Sequence, residues 1–519
     1  MKTIPVIPLR YLYGTFLLIA TILFFVLAKD LFFYDEDIFV TNTASDFLTQ
    51  LWQRGIVCKA SYWADNYFYG NHPFWYHTTN FVLHIANTFL ATLVLIELLK
   101  ACKSHFTHFQ LKFIPLIFFV FFLFSPVHSE PLGYILARCG TLVSFFCLLS
   151  ILFFLKSQLK NKTFIFYSLL FFFIALFTYE ISWMLPVVMV GIVVFLSYIK
   201  KEKLQKNILV TLPYFFLFCA WFIIKVVFID KFIVSDYADA DLFKINLVSL
   251  VKNTGTLFLR NFIPPFKNSV NFVASAIIFI LLMTVALIKL FFYNRKIFLL
   301  SIMLLAITFL SFAAVVTLGI DTHDSESERY IYFSSCFALM FVAVIMAVLV
   351  KNRVILFVMT AVLVTWYSFT LFTTINYYNR AGAFSTKYIA AIHQIKNIPA
   401  TVFLINLPAQ YNGALLYRAK SRIAGNTKNS ITTLNEFMQY LYKDTVTKYV
   451  ALSNTELFTV PMVLNIYQKP MDSLAFYFPA ANVNVNNTAI TTQKGETFSF
   501  VKAKSAFIAL KDSALFIFN

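Results

Sequence analysis

Residues 70–103 read GNHPFWYHTTNFVLHIANTFLATLVLIELLKACK, and the pattern inside them decides the fold. The run from about Tyr76 to Leu99 is apolar and long enough to cross a bilayer as a helix, for which about 20 residues suffice. Four polar side chains interrupt it: His77, Asn80, His84 and Asn87 recur at i, i+3, i+7 and i+10. That spacing gathers them on one helical face. A stripe of His and Asn facing lipid would be costly, so the face turns inward against other helices. Hydrogen-bonding glue is the plain reading for Asn87 and stays open for the other three. The run closes on Lys100 and Lys103.

The rest of the chain repeats this design. Of its 519 residues 60% are hydrophobic, 13% are charged and 64 are Phe. The mean hydropathy is +0.75. A soluble chain carries about 25% charge, so much of the solvent here is lipid. Apolar blocks fill residues 1–375 and predict an all-α polytopic membrane domain of about eleven spans. The first runs from about Tyr11 to Phe33; it is too long for a signal peptide and precedes no small-residue cleavage site. The third ends near Ser125-Pro126, the fifth near Glu180 and the eleventh near Ile375. Loops are expected at Tyr34–Trp75, Ile229–Val270 and Asp321–Arg329.

The basic clusters Lys100/Lys103, Lys156/Lys160, Lys200/Lys201, Arg295/Lys296 and Lys351/Arg353 then all fall on one side, and the acidic loops on the other. This is the positive-inside pattern, with the N-terminus inside and the C-terminus outside. The net charge of +18 sits in these clusters rather than in a groove-reading stripe, which excludes nucleic acid as a partner. Cys58, Cys102, Cys139, Cys147, Cys219 and Cys336 form no CxxC pair and read as small buried hydrophobes.

Residues 376–519 are different material. Val402–Pro408 reads as a buried strand ending in a turn, Ile431–Tyr442 as a short helix, and Phe498–Phe518 as alternating segments with hairpin-like spacing. A small α+β domain outside the membrane is expected there.

Polar clusters gather near the outer face. Asp35-Glu36-Asp37 follow the first span among Phe32, Phe33, Tyr34 and Phe39, surroundings that raise a carboxyl toward general-base range. An acidic loop that only helps set topology is the plainer alternative. Ser125-Pro-Val-His128-Ser-Glu130-Pro precedes Arg138, which lies in an apolar run and needs a partner. Glu130 or a ligand phosphate would serve. Asp321-Thr-His323-Asp324-Ser-Glu326-Ser-Glu328-Arg329 could hold a divalent cation, though its spacing matches no EF-hand or zinc pattern; a solvated loop with Arg329 anchoring the interface is the simpler reading. No metal site is assigned. No Walker loop, GxGxxG, GxSxG or HExxH occurs, so nucleotide-driven pumping and serine hydrolysis have no support.

Taken in order, these blocks resemble the GT-C superfamily of membrane glycosyltransferases, in the protein O-mannosyltransferase-like branch with the transmembrane and tetratricopeptide-repeat mannosyltransferases. The family's acidic pair after span one resembles Asp35-Glu36. Its block at the start of span two resembles Tyr76-His77, Asn80 and His84. Its His-Pro-x-His-x-Glu block followed by Arg resembles Pro126, His128, Glu130 and Arg138, with Ser125 for the first His. Tyr179-Glu180 with Pro186 is similar to its Lys-Glu element, and Glu328-Arg329-Tyr330-Ile331-Tyr332 with Ser335 to its late block. The resemblance covers about residues 10–350. Where the family carries a Tyr-Arg-Pro-Leu-like block, this chain has Asp65-Asn-Tyr-Phe-Tyr-Gly70, and the repeat array is replaced by the tail.

The resemblance implies a sugar passed, with inversion, from a polyprenyl-phosphate donor to an acceptor hydroxyl on glycan, lipid or protein. It implies Asp35 as general base with Glu36 beside it, and Arg138, Arg329 and His128 at the donor phosphate. His77, Asn80, His84, Glu130 and Glu180 would orient the substrates. The setting implied is a bacterial inner membrane with the site facing outward. A flippase of lipid-linked saccharide and a non-catalytic saccharide-binding homologue are the rival classes; a transporter would place polar groups near the midplane and on both sides.

Overall fold

Apolar runs separated by short polar turns leave the backbone one economical choice in lipid, the helix, which satisfies its own hydrogen bonds. The computed structural model describes residues 9–34, 55–228, 246–393, 400–417, 433–457, 459, 464–470, 474, 489–491, 497–499, 505–511 and 514–518. Its principal helices are α1 (Leu9–Leu27), α2 (Ile56–Tyr69), α3 (Pro73–Ala101), α4 (His108–Leu123), the short α5 (Ser129–Gly133), α6 (Arg138–Leu159) and α7 (Phe164–Leu176). There follow α8 (Leu185–Lys200), α9 (Leu212–Phe228), α10 (Leu247–Arg260), α11 (Ser269–Tyr293), α12 (Arg295–Ser311), α13 (Tyr332–Leu349) and α14 (Arg353–His393).

Among the described residues eight helical stretches are long and apolar enough to cross a membrane. The expected third span is a bent pair, His108–Leu123 with Pro126–Gly133, turned by 49°. Pro126 supplies no N–H and opens a 3₁₀ turn there, which accounts for the break. The expected fifth and seventh spans are shorter apolar helices, Phe164–Leu176 and Leu209–Lys225. Helix α13 is almost wholly enclosed by its neighbours, whereas α11 turns Val273, Ile277, Leu281 and Val285 outward. Apolar side chains on that outer surface belong against lipid, and the chain is a multi-pass membrane protein.

Three expectations are corrected. The loops expected at Tyr34–Trp75 and Ile229–Val270 contain α2 and α10. Neither helix holds a proline, and Asn246 caps α10 by accepting from the Val248 N–H at 3.0 Å. The eleventh span does not stop at Ile375. Helix α14 runs 41 residues, about 60 Å at 1.5 Å per residue and twice the hydrocarbon thickness. Tyr378, Ala381, Phe384, Tyr388 and Ile392 prolong its buried face beyond the membrane length, so burial rather than hydropathy sets its end.

The tail's strands are β1 (Thr401–Ile405), β2 (Leu407–Tyr411), β3 (Ala414–Leu415), β4 (Lys448–Ala451), β5 (Asn454–Leu457), β6 (Asn465–Lys469), β7 (Ala489–Thr491), β8 (Thr497–Ser499), β9 (Ser505–Lys511) and β10 (Ala514–Phe518). Five form a mixed sheet in the order β4-β1-β9-β10-β6, with β9 and β10 an antiparallel hairpin and β1 parallel to both its neighbours. The single strand expected at 402–408 is divided at Asn406, whose φ of 56° sends β2 into a second sheet with β3 and β5. One helix, α15 (Thr433–Tyr442), seats the tail on the bundle: Phe437 stacks on Phe32 at 6.1 Å and Tyr440 meets Phe33 edge-on at 6.0 Å.

Where α14 crosses the segment after α1 there is no room for a side chain. A Cβ on Gly382 would lie 2.2 Å from the Asp30 carbonyl oxygen and 2.8 Å from the Tyr34 hydroxyl. Gly382→Ala should therefore destabilise the protein by about 1–3 kcal/mol, the usual scale of overpacking. The check is thermal unfolding in detergent followed by size-exclusion, and an unchanged midpoint would contradict this packing.

Candidate active site

The turns carrying Lys100, Lys160 and Lys200 meet at one end of the bundle, Lys100 and Lys160 through Glu97 (3.0 and 3.1 Å) and Lys200 through Gln158 O (2.9 Å). At the other end the segments 124–138, 177–184 and 312–331 meet α2, α10 and the start of α3. Two glutamates without exposed surface hold this end together. Glu130, in α5, accepts the backbone N–H groups of Ser327 (3.2 Å) and Arg329 (2.7 Å) and pairs with the Arg329 guanidinium. Glu328 does the converse: its Oε2 accepts from Ser129 Oγ (2.7 Å) and from the Glu130 N–H (3.1 Å), while its Oε1 lies 2.8 Å from Arg260 Nη2. Each carboxylate thus caps the short helical turn that carries the other.

Arg260 is held in turn by carbonyls. It donates to Asp321 O (3.0 Å), Ile263 O (3.0 Å) and Asp324 O (3.3 Å). Arg329 keeps 17% of its side chain exposed, its guanidinium 4.9 Å from the centre of the Tyr330 ring. Burial lowers its pKa, but Glu130 together with Tyr330, Tyr179 and Tyr134 more than offsets this, so the net shift is upward and the charge is held. Tyr330 lies nearly parallel to Tyr179 at 6.5 Å; next to Tyr179, Glu180 lies 3.4 Å from Lys225, which sits 4.8 Å from the Trp221 ring centre.

Arg138 belongs elsewhere. It is wholly buried, Nε donating to Asn80 Oδ1 at 2.6 Å, Nη2 to Tyr76 O at 2.9 Å, and Nη1 to Ser61 at 3.4 Å. The carboxylate it pairs with is Asp65 of α2, at 2.6 Å, and not Glu130. No part of Arg138 reaches an open surface. Asp65 stands in the block that departs from the family pattern.

The polar stripe of α3 faces inward as its spacing requires, and all four members are buried. His77 contacts Leu132 O (3.2 Å) and Phe32 O (2.9 Å). Asn80 also donates to Pro131 O (3.0 Å). His84 contacts Tyr332 Oη (2.7 Å) and Leu123 O (3.1 Å), and Asn87 donates to Thr141 O (2.8 Å). His128 is equally enclosed, between Phe122 O (3.0 Å) and Ser335 Oγ (2.8 Å). The stripe, the break after Leu123 and the start of α13 form one internal network.

Asp35 and Glu36, the expected catalytic pair, lie outside the described residues; the described chain ends at Tyr34, whose hydroxyl donates to Tyr378 O at 2.6 Å. Among the described residues no group of three or more His, Cys, Asp or Glu side chains could hold a metal ion. Sequence reasoning missed Asp65, Arg260 and Lys225. A signal existed for two of them, since Arg260 and Lys225 interrupt apolar runs and a buried cation needs a carboxylate.

No protein-family model and no curated protein matches the chain. Among solved structures, the crystal structure of ArnT from Cupriavidus metallidurans in the apo state is similar, with 12% sequence identity and a TM-score of 0.44 over 76% of this chain and 82% of that one.

Two outcomes are expected. Asp65→Ala strands a buried guanidinium and should lower stability by about 3–5 kcal/mol, read as loss of folded, monodisperse protein on heating; a midpoint within error of wild type would refute the pairing. Burial, aided by Asp321 and Glu326, pushes the Asp324 carboxyl up to about 7. A raised carboxyl pKa stabilises the fold below its unfolded value, and that contribution fades as pH rises to 7. The stability difference between wild type and Asp324→Asn should therefore shift against wild type between pH 5 and pH 8, and a pH-independent difference would count against it.

Proposed function

We propose that this chain is a membrane glycosyltransferase of the GT-C kind, moving a sugar from a polyprenyl-phosphate donor to an acceptor hydroxyl at the membrane face opposite the basic loops. One observation carries the reading: blocks far apart in sequence converge at that end of the bundle around Arg329, a clamped guanidinium that keeps exposed surface. The polar groups cluster at one end rather than on both sides of a midplane, which favours an enzyme over a transporter.

In this reading the Asp35 carboxylate takes the acceptor's O–H proton. The freed oxygen attacks the anomeric carbon from the face opposite the phosphate, and the bond from that carbon to the phosphate oxygen breaks. The electron pair leaves with the polyprenyl phosphate, and the sugar inverts. A phosphate needs charge stabilisation more than a proton as it departs, and Arg329 supplies it. Glu36 orients the acceptor. Glu130 aims Arg329, and Glu180 holds Lys225 as a second cation along the same face. Arg138, His77, Asn80, His84 and His128 fix the scaffold from within. The acceptor is a cell-envelope glycan, lipid or protein, and the membrane a bacterial inner membrane.

Purified protein in liposomes should move label from a polyprenyl-phosphate sugar to an added acceptor. Asp35→Asn should slow transfer by about 10²–10⁴, and Arg329→Ala by about 10²–10³, both with an unchanged elution profile. Transfer by Asp35→Asn at the wild-type rate would remove the base; label crossing the bilayer still joined to its phosphate would favour the transporter.

A further inference from the structure

One turn of the C-terminal domain reaches the loop that carries Arg329. Strands β2 and β3 pair antiparallel with Tyr411 opposite Ala414, so only Asn412 and Gly413 connect them. Both have positive φ, 48° and 87°, which a two-residue type I′ hairpin requires and an Asn-Gly pair favours. The Asn412 N–H ties the turn to its own sheet, donating to Leu457 O at 3.3 Å. Shortly after β3, Tyr417 holds the same stretch on α14, its hydroxyl 2.6 Å from Ser385 Oγ.

The turn presses on Asp324. A Cβ on Gly413 would lie 2.6 Å from the Asp324 Cβ, so bare backbone meets that residue and no methyl fits between them. Beside it Asn412 Oδ1 accepts from Lys267 Nζ, and Lys267 lies 5.9 Å from the centre of the Tyr377 ring, which Tyr411 meets edge-on at 5.9 Å. From Asp324 onward each residue is held as far as Arg329. Asp324 O accepts from Arg260 Nη2 at 3.3 Å, and Asp324 Oδ1 accepts the Glu326 N–H at 2.8 Å. Ser325 Oγ lies 3.3 Å from the Tyr378 hydroxyl, Glu328 pairs with Arg260, and Ser327 and Arg329 give their N–H groups to Glu130. The residue under the turn is the first link of this series, and no unheld residue after it could absorb a shift before Arg329.

We propose that the Asn412–Gly413 turn positions Arg329: through Asp324, the C-terminal domain fixes the backbone from which the guanidinium meets the departing phosphate. The proposal rests on the role given to Arg329 under the proposed function. Gly413 touches no substrate. It is a positioning residue, and its lack of a side chain is what lets the domain seat against the loop. An irregular loop has few hydrogen bonds of its own, so its conformation is set by whatever packs on it. Here the bundle supplies Arg260, Glu130 and Tyr378 on one side, and the turn supplies the contact at Asp324. The domain is thereby a part of the proposed site although none of its residues reaches the sugar.

The test uses the full chain, followed by hydrogen–deuterium exchange in detergent and by transfer from a polyprenyl-phosphate sugar in liposomes. Gly413→Ala adds the one methyl that has no space. The amides of Glu326, Ser327 and Arg329 should exchange faster, while those of β1 and β9 in the other sheet stay protected. Transfer should slow by about 10²-fold, the scale of a misplaced catalytic group, with kcat falling more than KM rises. In an Arg329→Ala background the same substitution should add no further loss, because both act through one group. If Gly413→Ala does not fold, Lys267→Met loosens the contact from the bundle side; smaller changes of the same sign are expected, and Lys267→Arg should restore the wild-type values. Unchanged exchange at the three amides overturns the proposal, as does a full additional loss of transfer in the Arg329→Ala background. Faster exchange in a protein whose wild type moves no sugar upholds the turn's grip on the loop and defeats the glycosyltransferase reading instead.

Discussion

A carboxylate wholly removed from solvent is stable only when its surroundings supply donors, and Glu130 and Glu328 each take theirs from the segment that carries the other. Neither short helical turn could hold its shape alone. A five-residue helix has almost no internal hydrogen bonds, so its N-terminal N–H groups need outside acceptors. The two segments, about 200 residues apart in the chain, therefore fold as one unit. Buried ion pairs contribute little net stability when set against apolar packing, but they penalise every arrangement that breaks them. Their consequence here is register: the break after Leu123, the start of α13 and the end of α10 have one mutual placement.

That placement separates two kinds of arginine. Arg138 and Arg260 have no exposed surface, and their donors are consumed by Asp65, Asn80, Glu328 and backbone carbonyls. They hold the scaffold. Arg329 shares the clasp yet keeps part of its guanidinium open. In the proposed reaction a charge that meets a ligand has to be positioned without being fully buried, and the clasp fixes the Arg329 backbone while part of the side chain stays open. The internal histidines serve the same rigidity, since each sits between two fixed oxygen partners.

What could be read from the sequence was whatever one helix says about its own faces. The stripe of His77, Asn80, His84 and Asn87 announced an inward surface, and all four are buried. Apolar length gave the long helices. The pairings were not legible, because Asp65 with Arg138 and Glu328 with Arg260 are joined by tertiary packing across many residues, and no local period encodes that. Helix α14 outran its hydropathy because Tyr378, Phe384 and Tyr388 continue a buried face after the membrane-length run ends. The α2 and α10 helices were hidden by mixed composition, which reads as loop when only hydropathy is weighed.

Hydrogen–deuterium exchange on Glu328→Gln probes the clasp from one side and reads it on both. If the two turns are one unit, the amide of Glu130 loses its acceptor's charge and exchanges faster, and the amides of Ser327 and Arg329 speed up with it although Glu130 itself is unchanged. Faster exchange confined to residues around 328, with the Glu130 amide as protected as in wild type, would contradict the account.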